Sequence, residues 1–414
     1  MKTMSAAYPH IVCVLALAVV LPGCGSSDKA PAAAAPASSS PQDPATVTRQ
    51  LSATELKETE AFAQQIEKSI NSNDPTVFQK ALSLPTLGER TCAGLGLSSS
   101  DKKSLIKGMS AGTSNFGNII CQAVQKNGSY ALLRMRVIDD KPHALFRMLS
   151  DGAVNYHELR LNKTAQGAYE IEDAYVYMAG EWLSETMRRM LLPMVAHQNR
   201  GVLEKLRGTE SAYVKNIERI GQINNLVQQG KGAEALRVYA SLPAELHPDR
   251  TIQLVHVAAA QQAGEEPYAK ALEEFQKFFP DAAWADLILI DAYFLTKQYA
   301  KGQNAISRLD RSLGGDPYLN VLRGSLYNLS GEPEKAKAAA QAAIQSKLGM
   351  PEPYLLLVEL ATKEKAFAEA VVWFAKLRSD IKDKTYELEG VEGFEELVES
   401  PEYKKYISAA AEEK

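Results

Sequence analysis

The sequence lacks the features that mark several common classes of protein. Its 46 basic and 50 acidic residues give a net charge of −4 with both signs interspersed, whereas a nucleic-acid-binding domain needs a strongly basic surface. It has no HExxH motif, no phosphate-binding loop, no Ser–His–Asp order, and no CxxC or clustered histidines that could hold a metal. These absences predict a protein that is not an enzyme, requires no cofactor and binds no nucleic acid.

Long hydrophobic runs are also scarce. Near the N-terminus, Ile11 to Leu21 form an apolar run of eleven residues, about half of the roughly 20 that a membrane-spanning helix needs. Lys2 precedes this run, and the pattern predicts a secretory signal peptide over residues 1–23. The run ends in Leu21-Pro22-Gly23-Cys24, which resembles the lipobox of bacterial lipoproteins.

The lipobox resemblance implies a lipid anchor at Cys24. Its thiol would take a diacylglycerol, the signal would be cut before it, and the new amino group would receive an acyl chain such as palmitate. Gly25, rather than Asp, follows and implies the outer membrane of a Gram-negative cell, with the protein facing the periplasm. Residues 24–50 are rich in Ala, Pro and Ser and predict a disordered linker. An ordinary cleaved signal with a chance cysteine is the alternative.

Cysteine usage is consistent with export. Cys13 leaves with the signal and Cys24 carries the lipid, so only Cys92 and Cys121 remain of the four cysteines. Two cysteines in an oxidising compartment usually pair, and we expect a disulfide between them. Two inert buried thiols are the alternative.

Residues 51–201 predict an α+β domain. Ser52 and Glu55 form a capping-box pattern at the start of a first helix, and a further helix begins near Ser100-Asp101. After Gly128 the hydrophobic period changes to two, and four alternating runs separated by short turns predict an antiparallel meander. A closing helix is expected over residues 182–197. This element order resembles the NTF2-like (cystatin-like) fold.

The NTF2-like resemblance implies a pocket that could bind or convert a small apolar molecule, which is the alternative function. Asp173 and His157 are the candidate bases in such a pocket. By alternation, Asp173, Tyr175 and Tyr177 share one face of their strand, and Tyr156 and Glu158 share a face of theirs. The simpler interpretation is that these tyrosines favour strand structure and keep wet hydroxyls, while the acids beside them face solvent.

Residues 211–414 contain a repeat. Its turn positions lie 34, 33, 34 and 34 residues apart, and each is followed five residues later by a small residue. The turn positions are Gly230, Gly264, Lys297, Gly331 and Lys365, and the small residues are Ala235, Ala269, Gly302, Ala336 and Ala370. Two antiparallel helices cross closely only where one offers Ala or Gly, so the period predicts five helix–turn–helix units followed by a C-terminal cap. The pattern resembles the tetratricopeptide (TPR) repeat, which forms an all-α solenoid.

The second unit has an ambiguous register. A strict period would turn Glu273 and Gln276 inward, whereas a turn two residues longer buries Ala271, Phe275 and Phe278 instead. We expect the longer turn because it buries two aromatic rings rather than two polar groups.

The TPR resemblance implies a groove that binds a protein or peptide. Along the first helices of the units, the expected exposed anchors are Trp284, Leu287, Phe294 and Tyr318, since aromatic residues dominate binding hot spots. The alternative is that some of these side chains pack between neighbouring units. Together, lipobox, linker and repeats predict a non-catalytic, outer-membrane-anchored scaffold that binds another envelope protein.

Overall fold

The computed structural model describes residues 50–125, 128–150, 153–198, 206, 208–280, 282–381 and 386–412, without side chains at 110–115, 197, 198, 411 and 412. The expected signal peptide, Cys24 and most of the linker lie outside these residues. No helix within them is both long enough and apolar enough to cross a membrane. The chain divides into two compact units, with the boundary between Leu289 and Ile290.

The first unit begins with four helices. Ser52 caps the first of them, because its hydroxyl oxygen accepts a hydrogen bond from the backbone N–H of Glu55 at 3.2 Å, as the capping-box pattern predicts. Ser98, two residues earlier than expected, caps the fourth helix in the same way through Asp101. The helices are α1 (Ala53–Asn71), α2 (Thr76–Ala81), α3 (Leu84–Thr91) and α4 (Ser99–Val124).

An antiparallel meander follows, as predicted. Its strands are β1 (Ser129–Ile138), β2 (Lys141–Ser150), β3 (Ala153–Lys163), β4 (Tyr169–Val176) and the short β5 (Glu181–Trp182), paired in sequence order. Asp139 and Asp140 connect β1 to β2 with φ of 49° and 58°, the two positive values of a type I′ hairpin turn. Helix α5 (Leu183–Gln198) closes the α+β part.

A bulge changes which side of β1 faces the core. The pairing with β2 shifts between Leu132 and Arg134, so Leu133 is an extra residue. Before the bulge Tyr130 and Leu132 pack on the main core, and after it Met135 does. Strict alternation along this run predicts that Ala131, Leu133, Met135 and Val137 share one face, and the bulge shows that prediction to be wrong.

The main core lies between the helices and one face of the sheet. Ile66, Phe78, Tyr130, Phe146 and Ile171 are all completely buried there. Tyr130 and Phe146, on neighbouring strands, stack with ring centroids 4.6 Å apart and planes 9° from parallel.

The described part of the repeat region contains five helix pairs, and each pair reverses direction at a predicted turn position. The first unit of the chain contains α6 (Gly208–Lys215), α7 (Ile217–Gln228), α8 (Gly232–Tyr239), a 3₁₀ turn (Ala244–Leu246), α9 (Arg250–Ala263) and α10 (Glu265–Phe278). Helix α11 (Ala283–Leu295) spans the boundary. The second unit continues with α12 (Tyr299–Leu313), α13 (Leu319–Leu329), α14 (Pro333–Gln345), α15 (Glu352–Lys363) and α16 (Phe367–Asp380).

The turn positions of the repeat adopt a common backbone conformation. Gly230, Lys297, Gly331 and Lys365 have φ of 72°, 55°, 75° and 58°, the left-handed region in which one helix ends and the next can reverse direction. Gly264 differs, with φ of 124° and ψ of 175°. The sequence period therefore reflects a backbone requirement that glycine meets easily and lysine meets with strain.

The small residues five positions later lie where helices cross. Ala235, Ala336 and Ala370 are completely buried. At Gly302 an added Cβ would lie 2.9 Å from a methyl carbon of Leu326, which is closer than a real contact allows. The close approach predicted from composition is thus present at four of the five units; at the unit with the unusual Gly264 turn, Ala269 is only half-buried.

The second unit has two of the predicted inward residues but not the predicted turn. Ala271 and Phe275 are buried in helix α10, as expected. The longer turn is wrong, because α10 starts directly after Gly264, whereas the second helices of the other pairs start two residues after their turn residue. Phe278 is 37% exposed, so its predicted burial is wrong.

The C-terminal end of the array is covered by two short helices, α17 (Glu395–Glu399) and α18 (Pro401–Glu412). Phe374 of the last pair contacts Tyr403 of α18 with ring centroids 5.7 Å apart. Leu397 and Tyr403 are buried in the same cluster. They act as the predicted cap, because they cover an apolar helix face that would otherwise contact water.

The left-handed turns give a prediction about stability. Lys297→Gly should raise the free energy of unfolding by roughly 0.5–1 kcal/mol, because lysine at positive φ is strained and glycine is not. Lys301→Gly, four residues later inside α12, should lower it by about 1 kcal/mol, because there glycine only adds chain entropy. Urea unfolding of both variants measures the two effects. Changes of the same sign would contradict the assignment of the turn.

Candidate functional site

The sheet face opposite the main core carries a buried charge cluster centred on Glu158. This carboxylate is completely buried and forms a two-pronged ion pair with Arg136, and His143 Nδ1 lies 3.3 Å from it. Arg136 also donates a hydrogen bond to the Tyr177 hydroxyl at 3.0 Å. Burial acts to raise the pKa of Glu158, but the Arg136 and His143 partners outweigh it and lower the pKa to about 2. Glu158 is therefore a permanently ionised structural anion.

Asp173, the first candidate base, is fully occupied by structural hydrogen bonds. Its carboxylate accepts from Arg90 Nε at 2.7 Å and from the backbone N–H and the hydroxyl of Ser184 at 3.1 and 2.5 Å. Ser184 lies at the start of α5, so Asp173 joins β4 to the beginning of that helix and to the end of α3. Burial raises the pKa of Asp173, and these partners oppose that rise.

His157, the second candidate base, lies on the opposite sheet face, inside the main core. Its Nδ1 is 3.3 Å from the Tyr130 hydroxyl and its Nε2 is 3.4 Å from the Asn155 amide nitrogen. Burial lowers the pKa of His157 to about 4. The imidazole is therefore neutral at physiological pH, and both ring nitrogens are already in contact with polar groups.

The tyrosines of the sheet form a buried aromatic cluster. Tyr156, Tyr175 and Tyr177 share one face, as alternation predicts, and Tyr177 contacts the other two edge-on at centroid distances of 5.8 and 5.3 Å. All three are at most 1% exposed. The expectation that the tyrosine hydroxyls and the neighbouring acids face water is wrong, because Trp182 and the charge cluster cover them; Trp182 lies 5.4 Å from Tyr175.

Within the first unit, the turn between β4 and β5 packs directly against the repeat helices. Gly180 has φ of 64°, and a Cβ there would lie only 2.4 Å from the indole ring of Trp284. The Arg250 guanidinium donates a hydrogen bond to the Gly180 carbonyl. Arg189 pairs with both Glu181 and Asp249, which lie on the two sides of this contact. The turn between β4 and β5 therefore packs against the second and third helix pairs.

Three of the four expected groove anchors are buried. Trp284 is 4% exposed and packs on Phe275 and Phe279 at centroid distances of 5.7 and 4.9 Å. Leu287 and Tyr318 are 2% and 1% exposed. Their expected exposure is wrong, because these positions pack against neighbouring elements, which was the alternative. Phe294 is half-buried and keeps an accessible edge.

Cys92 and Cys121 are free, buried thiols, so the predicted disulfide is wrong and the alternative holds. Cys92 lies near Lys102, a residue in the first turn of α4. Cys121 lies nineteen residues after Lys102 in the same helix, and at a rise of 1.5 Å per residue these two positions are about 28 Å apart. A disulfide requires Cα atoms within about 7 Å. Among the described residues, no group of three His, Cys, Asp or Glu side chains could hold a metal ion.

A polar row remains accessible on the first helices of the last two pairs. The Asn328 amide in α13 donates to Glu359 Oε1 in α15 at 3.1 Å, and Lys363 donates to the same oxygen at 2.5 Å. Lys363 is about 60% exposed and Glu359 about 25%. This row, Asn328, Glu359 and Lys363, crosses from one repeat to the next within the second unit.

Comparison with known proteins gives little. No family model and no curated protein matches the chain. A solved structure that is similar is that of a thermophilic TPR protein from Thermus thermophilus, at 17% identity and a TM-score of 0.29, covering 47% of this chain and 99% of that one. The repeat assignment rests on the five helix pairs and not on this likeness.

The charge cluster was not anticipated from the sequence. Strict alternation puts Arg134 and Arg136 on one side of β1, and Tyr156 and Glu158 on one side of β3, without showing that these sides are buried together. The available signal was the register, since His143 lies opposite Arg136 and Leu145 opposite Glu158 in the antiparallel pairing. Alternation along each strand brings these side chains to one face, but only tertiary packing decides that the face is buried.

The close contact at Gly180 leads to a prediction with a matched control. Gly180→Ala should lower the free energy of unfolding by roughly 2–4 kcal/mol, because a methyl group adds overpacking against Trp284 to the strain of positive φ. Gly167→Ala is the control, at φ of 84° with no atom within 4 Å of the new methyl group. It should lower the free energy of unfolding by only about 1 kcal/mol, because it introduces backbone strain but no overpacking. Urea unfolding measures both. Equal losses would argue against the packing of the turn on Trp284.

Proposed function

We propose that this protein is a non-catalytic scaffold that binds another protein through its helical repeats. The supporting observation is the row of Asn328, Glu359 and Lys363, which joins two adjacent pairs through hydrogen bonds and stays accessible. Phe294, half-buried on a first helix of the same array, adds an apolar contact. A rigid polar row with one aromatic edge suits a peptide or a helix of a partner, because preformed donors and acceptors reduce the entropy cost of binding.

The alternative, a small-molecule site in an NTF2-like sheet domain, has weaker support. Asp173 and His157 were the groups on which such chemistry would depend. Asp173 already accepts hydrogen bonds from Arg90 and Ser184, and His157 contacts Tyr130 and Asn155. A general base needs a free lone pair directed at its substrate. We therefore assign the sheet a structural role, in packing against the second and third helix pairs.

We further propose that the scaffold is anchored by lipid in the outer membrane and faces the periplasm. The proposal rests on the apolar run of residues 11–21 and on the lipobox-like Leu21-Pro22-Gly23-Cys24. The Ala-, Pro- and Ser-rich linker to about residue 50 would act as a flexible tether. Acylation by several chains would hold the protein far more strongly than a single chain, at about 0.8 kcal/mol per buried methylene.

Site-specific photo-crosslinking in intact cells tests the scaffold proposal. A crosslinking residue at Lys363 should give a discrete adduct, because it lies in the proposed contact row. The same residue at Gln341, exposed on the second helix of a pair, should give none. Asn328→Ala combined with Glu359→Ala should remove the Lys363 adduct while circular dichroism stays unchanged. Identical adducts at both positions, or an adduct that survives the double variant, would refute the assigned surface.

The anchor is tested separately by Cys24→Ser. The variant should lose labelling by radioactive palmitate and either accumulate as uncleaved precursor or leave the outer-membrane fraction. The reason is that no helix within the described residues can replace the anchor by spanning the membrane. Cys92→Ser is the control and should keep both the label and the location. Wild-type protein that carries no label and is freely soluble would overturn the lipid anchor.

A further inference from the structure

A stack of three rings lies between the first two helix pairs of the repeat. Tyr239 in α8 stacks on His256 in α9 at a centroid distance of 3.8 Å, with planes 6° from parallel. It also stacks on His247, just after the 3₁₀ turn, at 4.9 Å and 17°. At these distances two parallel imidazoles cannot fit side by side on one face of a phenol ring. The two histidines therefore lie on opposite faces of Tyr239.

Hydrogen bonds connect this stack to the last helix of the two pairs. The Tyr239 hydroxyl donates to Glu274 in α10 at 2.9 Å and accepts from the completely buried Gln253 amide at 2.9 Å. The same amide nitrogen reaches the His247 carbonyl at 2.8 Å. Four successive segments of the chain are thus joined around one phenol group.

One ring nitrogen of each histidine lacks a hydrogen bond in this arrangement. His256 Nδ1 and His247 Nε2 are buried and have no hydrogen-bond partner among the described residues. The Glu274 carboxylate is 3.8 Å from His256 Nδ1, too far for a hydrogen bond. An imidazolium formed at His256 would lie in a largely buried position, facing a second imidazole across Tyr239, with a single partly exposed carboxylate to offset it.

We propose that the Tyr239 stack, with His247, His256 and Glu274, is an acid-sensitive joint between the first and second helix pairs. With His256 neutral, the stack holds α8, the 3₁₀ turn, α9 and α10 together. Protonation of His256 in mild acid places a positive charge against the buried Tyr239 ring, beside a second imidazole on the other face of that ring, and loosens the joint. This regulatory property is separate from partner binding and does not depend on it.

The direction of the pH effect follows from the groups that face His256. Burial lowers its pKa, Glu274 opposes that effect, and His247 adds to it, with a net lowering from the usual 6.5. The unfolded chain therefore binds a proton more readily than the folded one. Stability contributed by the neutral stack is complete above about pH 6.5 and is lost as the pH falls below that value.

Hydrogen exchange of the full chain at pH 7.5 and 5.0, corrected for intrinsic rates, tests this joint. In wild type the amides of 232–263 should lose protection on the order of three- to tenfold in acid, more than those of α14 and α15. His256→Gln should abolish this excess, because glutamine fills similar space and cannot be protonated. Glu274→Gln should enlarge it, because the opposing carboxylate is gone.

Equal acid effects in wild type and His256→Gln would overturn the proposal. Should His256→Gln fold poorly, the imidazole titration in wild type provides an independent check by NMR. A folded-state midpoint for His256 below 6.5 supports the joint, and a midpoint at or above 6.5 refutes it.

Discussion

The structure depends on how closely two helices can approach. A helix pair buries its apolar faces fully only where one helix has no bulk at the crossing, and the buried Ala235, Ala336 and Ala370 meet that condition at equivalent positions. In four of the five pairs the reversal before the crossing uses a left-handed residue, Gly230, Lys297, Gly331 or Lys365. The regular spacing of the sequence thus follows from the turn and the close helix contact that each pair needs.

Two other parts of the chain cover helix pairs. Short C-terminal helices bury Leu397 and Tyr403 against the last pair. The β4–β5 turn makes a tight contact with the third pair through Gly180 and Trp284, beside the ion pairs of Arg189. The buried charges of the sheet, Glu158 and Asp173, belong to the same structural arrangement. Their partners orient β3, β4 and the start of α5, which carry that turn.

Local sequence patterns predicted the parts of the fold that depend on local forces. The Ser52 cap, the meander and the turns of the five helix pairs all follow from spacing within a few tens of residues. Burial could not be predicted in this way. Trp284 was expected to be exposed because of its position on the first helix of a repeat unit. It is buried against the turn at Gly180, which lies about a hundred residues earlier in the chain. The expected disulfide was wrong for a similar reason. The number of cysteines does not reveal the distance between them, and here Cys92 and Cys121 lie near opposite ends of α4.

The two free thiols have a consequence for how the chain can mature. Burial raises the pKa of both Cys92 and Cys121, so only a small fraction of either is present as reactive thiolate. Because no disulfide joins the cysteines of residues 50–412 that the structure describes, this part of the chain needs no oxidant and no disulfide isomerase to fold. Once folded, its sulfur atoms are slow to exchange with other disulfides. The polypeptide can therefore reach the same structure in reducing and in oxidising surroundings.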